Sequence, residues 1–230
     1  MLYVTGERAV RVCGMETFRH EKLAALGARA GSAATELMQL SGGGFAKSMH
    51  GNLKRNYTMH YSIFGTKGTM ETDKYDNGKL YVSIEKPYEA ENRNGRYEVS
   101  AYHPEPLVQR EDLVESLGYS NYYVMECFLG SIRGEEKAKR YAIDVYRAMD
   151  MALPGFMAYR SILKGGMPVT VPDFRDKAQR DLYRNDRLST DVRISGKDTM
   201  PTRFGETDLP PDSAYEYCRS LFEKGECDFW

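Results

Sequence analysis

The chain of 230 residues carries 32 Lys+Arg against 33 Asp+Glu, a formal net charge of -1. That length leaves room for a sizeable core in one domain or two small ones, and the balanced charge supplies no field to draw the chain to nucleic acid or to an anionic membrane. Four cysteines, Cys13, Cys127, Cys218 and Cys227, lie far apart without a C-x-x-C pair, which argues against a zinc site and a disulfide framework.

The start "MLYVTGERAVRV" shows no signal-peptide pattern and the apolar runs are short, so the expected location is the cytoplasm. From Ala9 to about Thr72 the segments "AVRVCGMETF", "ATELMQLSGG", "GFAKSMHGNLKRN" and "YTMHYSIFGTKGTMET" are rich in β-branched and aromatic residues and punctuated by glycine, as antiparallel strands are. Gly42 to Gly44 can take the positive φ of a tight hairpin turn. Asn77-Gly78 predicts a second hairpin, and "RYEVSAYH" another alternating strand. Apolar spacing of three and four then predicts helices over 119–134 and 139–165, burying Tyr123, Cys127, Ile143, Met149 and Phe156 against the sheet. Pro154 should kink or divide the longer one, and Gly165-Gly166 should end it. "MPVTVP" reads as a short extended segment, and "DFRDKAQRDLYRNDRL" as a polar helix with Asp173 as N-cap. A run from Ser189 to Asp212 with little periodicity predicts an extended tail before a last helix. The fold class is therefore α+β: an open, mostly antiparallel sheet with helices packed on one face. Residues 1–188 form the domain, and 189–230 a tail and helix packed on it.

The four histidines show no metal-ligand spacing, and there is no G-x-S-x-G, P-loop or G-x-G-x-x-G. His50 and His60 fall on predicted strands, where they can face one pocket or a wet surface. Arg55 and Asn56 occupy a turn in "GNLKRNYTMH"; Arg55 suits bidentate bonding to a sugar hydroxyl pair or a carboxylate, the alternative being a solvated turn. Ser120 or Asn121 can cap the helix in "LGYSNYYVMECF".

Three stretches in order, "SIFGTKGTMET", "SNYYVMECFLGSI" and "AIDVYRAMDMALPGFMAYRSILKGGMPVTVPDFRD", resemble the C-terminal domain of the glucose-fructose oxidoreductase / inositol dehydrogenase (Gfo/Idh/MocA) family, over about Tyr3 to Leu188. Each motif is weak alone; their order carries the likeness. The resemblance implies a substrate-covering sheet that also joins subunits, in enzymes that oxidise or reduce sugars and polyols with NAD or NADP. In that family the glycine-rich nucleotide domain and the catalytic lysine of a Glu-Lys-Pro triplet precede the part that "LYVTGERAVRVCGME" resembles. The expectation is a chain that binds no cofactor by itself, has no catalytic residue of its own and is inactive alone, with a separate Rossmann-domain subunit as one possible partner.

"IEKP" at 84–87 has the triplet's letters but follows "FGTKGTME", with no glycine-rich turn upstream, so Lys86 is expected to be solvated. Around Asn121 similar family members tend to carry an acid, and an amide cannot act as a base. The resemblance leaves His50, Arg55, Asn56, His60 and Asn121 as substrate-binding candidates. It also implies a homo-oligomer joined through an open sheet face, from strands such as "TMHYSIFG" and "KLYVSIE". The alternative is a non-enzymatic module that uses the same sheet to bind carbohydrate or to assemble.

Overall fold

The computed structural model describes residues 2–51, 60–76, 78–86, 97–105, 119–205 and 209–225. In chain order the elements are α1 (Leu2–Thr5), β1 (Ala9–Glu16), α2 (Glu21–Ala25), β2 (Ala33–Leu40), β3 (Phe45–Gly51), β4 (Ser62–Phe64), β5 (Gly68–Thr72), β6 (Leu80–Glu85) and β7 (Tyr97–Tyr102). They continue with α3 (Tyr119–Ile132), α4 (Glu136–Tyr141), α5 (Val145–Leu163), β8 (Val169–Thr170), α6 (Lys177–Leu182), α7 (Val192–Ser195) and α8 (Asp212–Glu223). The chain forms two compact units, Leu2–Lys54 with Val145–Trp230, and Arg55–Asp144.

The first unit holds an antiparallel sheet in the order β3-β2-β1-β8. Its β2–β3 hairpin turns where glycine was expected, with Gly43 at φ +90° and the Leu40 amide bonded to the Gly44 carbonyl at 2.8 Å. Because side chains alternate across a strand, one face carries Val12, Met38 and Ala46 side by side, all buried. Helix α5 packs on that face through Leu153, Pro154, Met157, Ala158 and Ser161. Glycine is required at Gly14, since a Cβ there would lie 2.4 Å from the Ala158 carbonyl oxygen. The Ser161 hydroxyl, wholly buried, accepts the Gly14 amide at 3.0 Å and donates to the Met167 carbonyl at 2.6 Å.

This stripe corrects the predicted one. Phe156 is 66% exposed and Ile143 is also exposed, whereas Leu153, Met157 and Ala158 face the sheet. Pro154 lies fully buried inside an unbroken α5. The division comes instead after α4, where Ala142 turns extended at ψ 146°. Gly165 and Gly166 do end α5, both at positive φ. Helix α6 is capped by Asp176, which accepts the Ala178 amide, rather than by Asp173. Asp173 joins an ion network in which Arg8 reaches Asp150 at 3.7 Å and Asp173 at 3.8 Å, and Arg175 reaches Asp150 at 2.7 Å. The tail is less extended than expected: it contains α7 and a 3-10 turn at Gly196–Asp198. Ser195, buried, bonds the Ser189 and Asp191 carbonyls. The sheet's other face leaves Met15, Leu37, Phe45 and Met49 exposed.

The second unit holds a meander, β4-β5-β6-β7, also antiparallel. At the β5–β6 turn the Asp73 carboxylate accepts the Tyr75 and Asp76 amides, and the Tyr81 hydroxyl at 2.8 Å. These bonds hold its pKa down at about 2. Helices α3 and α4 pack together, with Tyr122 and Ala138 buried and Gly130 close against Ala138. The fold is α+β with open antiparallel sheets, as expected, and its strands divide between two four-stranded sheets. Alternation specifies a strand and its faces but not which strand pairs across its edge.

Candidate functional site

Across the helix-facing side of the first unit's sheet, the residue types change row by row. Ala46, Met38 and Val12 form an apolar row; the next holds Ser48, Glu36 and Gly14; the last holds His50, Ala34 and Glu16. The core layer therefore becomes polar at the end away from the 41–44 turn.

Glu36 lies 9% exposed, and its burial raises the carboxyl pKa above the usual value, partly offset by His50. The His50 Nε2 stands 3.5 Å from Glu36 Oε1 and its Nδ1 3.4 Å from the Ser48 hydroxyl. Both separations are longer than those of a tight hydrogen bond. The His50 side chain is 61% exposed, so it presents a ring to solvent from a rigid strand while Glu36 backs it from the core. Glu16, one row-mate away, accepts the Gly31 amide through Oε2 at 2.9 Å. Its charge reaches Tyr159, whose hydroxyl is pushed up first by burial and then by Glu16, against the lowering effect of Arg29. A solvated histidine held beside a buried acid is the kind of group found at binding sites.

Of the five predicted site residues, His50 lies on this sheet. His60 and Asn121, both exposed, belong to the other unit, and Asn121 sits within α3. Arg55 and Asn56 lie outside the described residues. Lys86, just after β6, has an exposed side chain 3.6 Å from Glu98 on β7. Glu36, Ser48 and Glu16 were missed. A signal existed, because Glu36 interrupts an otherwise apolar face formed by Met38 and Leu40 in "ATELMQL", and Ser48 shares parity with His50.

No group of three or more His, Cys, Asp or Glu that could hold a metal occurs among the described residues. Every pairing in the two sheets is antiparallel, and among the described residues no glycine-rich turn carries a parallel strand into a helix. In Rossmann-type folds the pyrophosphate of a dinucleotide sits at such a turn and helix N-terminus. No helix among the described residues is long and apolar enough to cross a membrane.

Residues 17–180 match the family model described as glycosyl hydrolase 109, C-terminal domain. No curated protein matches the chain. Among solved structures, levoglucosan dehydrogenase in complex with NADH and levoglucosan is 16% identical, with 72% of this chain and 45% of that chain covered at a TM-score of 0.49. The UDP-N-acetylglucosamine 3-dehydrogenase from Acidithiobacillus ferrooxidans is 16% identical, covering 70% and 45% at 0.44. An oxidoreductase from Agrobacterium radiobacter in complex with NAD+, L-tartaric acid and magnesium is 13% identical, covering 71% and 44% at 0.47. The chain spans less than half the length of each of these structures.

Proposed function

The chain belongs to the glycosyl hydrolase 109 C-terminal domain family, and from that premise we propose that it is the substrate-side domain of a sugar-processing enzyme. The observation that carries this reading is the polar end of the sheet, His50 backed by buried Glu36, within the residues the family model matches. A solvent-facing imidazole on a strand can donate to or accept from a sugar hydroxyl, and the buried carboxylate stands 3.5 Å behind it. The nicotinamide nucleotide implied by the Gfo/Idh/MocA resemblance would be held by another domain or subunit.

The test is ligand-observed magnetic resonance of this chain with methyl glycosides and free monosaccharides. Saturation transfer to the sugar protons, reduced at least fivefold in His50→Ala, is the expected outcome. Equal transfer in the variant, or none in the parent chain up to tens of millimolar sugar, would remove the support for a sugar-facing sheet.

A further inference from the structure

Flanking α5 in the first unit is a cavity of about 590 Å3 whose wall includes Gly155, Phe156, Tyr159 and Arg160 from the helix, Tyr183 and Leu188 from the segment after α6, and Arg29. Cavities of about 300–1,000 Å3 hold small organic ligands. The charged groups on this wall already have partners. The Arg160 guanidinium meets the Asp186 carboxylate at 2.5 Å and lies over the Tyr183 ring at 5.7 Å. Arg29 donates to the Thr190 carbonyl at 2.7 Å, and its charge is felt by Asp191. Beside these groups the rings of Phe156, Tyr183 and Tyr159 supply apolar surface to the wall.

Gly155 adds an independent observation. It lies within α5, where glycine weakens a helix relative to alanine, yet its φ is not positive and a Cβ built on it meets nothing within 4 Å. Neither backbone conformation nor packing requires glycine there. What the missing side chain does is keep this wall of the cavity open.

We infer that this cavity is a binding site for a ring-shaped group, and, resting on the proposed sugar-facing role of the sheet, that it takes the aglycone of a glycoside. Glu16 ties the two places together: it shares a cross-strand row with His50, about 10 Å away at two strand spacings, and its charge reaches Tyr159 in the cavity wall.

The experiment compares phenol, a phenyl glycoside and the matching methyl glycoside, titrated into the isotope-labelled chain. Phenol and the phenyl glycoside are expected to shift amide resonances of residues 155–160 and 183–190, and the methyl glycoside to leave them unmoved. Gly155→Leu, which fills the cavity while favouring the helix, should weaken phenol binding at least tenfold, and Phe156→Ser, at an exposed position, several-fold. Phenol shifts in this region without any sugar effect at His50 would keep the ring site and remove only its link to glycosides. No phenol shift here, or equal affinity in Gly155→Leu with an unchanged folded spectrum, would overturn the proposal.

Discussion

Two residues show how the sheet and helix of the first unit are bound together and what the polar end of their layer costs. Ser161 has no exposure and connects β1 to the chain after α5 through the Gly14 amide and the Met167 carbonyl. In Ser161→Ala both lose their partner inside the core, so a loss of about 1–3 kcal/mol is expected in denaturant unfolding. A variant as stable as the parent would show that neither bond matters. Glu36 makes a pH-dependent contribution. Its folded pKa is raised above 4.5 by burial, so ionisation costs more in the folded than in the unfolded chain. Stability is undiminished below the ordinary carboxylate value and declines as pH rises through the raised one. Glu36→Gln stays neutral and lacks this decline. The stability of Glu36→Gln relative to the parent should therefore grow as pH rises from the ordinary carboxylate value through the raised one. A difference that stays flat with pH would contradict this account.

Elements were legible wherever the signal was local. The turn at 41–44, the end of α5 at Gly165 and Gly166, and the change from alternating to helical spacing all follow from nearby residues. What depends on partners was not. Phe156 looks like a core residue in the periodicity of α5, but the sheet meets the helix along Leu153, Met157 and Ala158. The cavity draws on segments around residues 29, 156, 186 and 200, which no local pattern links. Of the site, His50 was read from its strand, while Glu36 was passed over because a glutamate on a strand usually faces water. Asp173 was expected to cap a helix and instead shares Arg8 and Arg175 with Asp150. This cluster joins α5 to the segments before β1 and after β8. Asp150 is 12% exposed, so Asp150→Asn should destabilise by about 1–2 kcal/mol, between the values for exposed and buried pairs. The loss should shrink at high salt if the cluster is accessible to screening. Urea unfolding of both chains at low and high salt checks it; coincident curves at low salt would mean that the cluster holds nothing.

At the scale of the molecule the open face of the first unit's sheet poses the main question. It presents Phe45 at 71%, Met49 at 64%, Met15 at 63% and Leu37 at 51% exposure, with Leu37 diagonal to the other three and Thr35, Gln39 and Lys47 between them. Exposed apolar side chains clustered in this way often mark an interface. The resemblance to Gfo/Idh/MocA enzymes implies subunits that meet through an open sheet face; the strands first expected to provide it, around Ile63 and Val82, form the other unit's sheet, which also exposes Phe64, Ile84 and Val99. We expect a homodimer in which this face meets its own copy about a two-fold axis, burying on the order of 1,600 Å2 in total. Phe45 and Met49 both lie on edge strand β3, so Phe45→Lys with Met49→Glu would place charges in the interface without disturbing the packing under α5. Sedimentation of the parent chain at low micromolar concentration should show twice the 26.2 kDa protomer mass. The double variant should sediment as the protomer with an unchanged circular dichroism spectrum. A parent chain that stays at the protomer mass over a tenfold rise in concentration would leave the exposed face without a role in self-association.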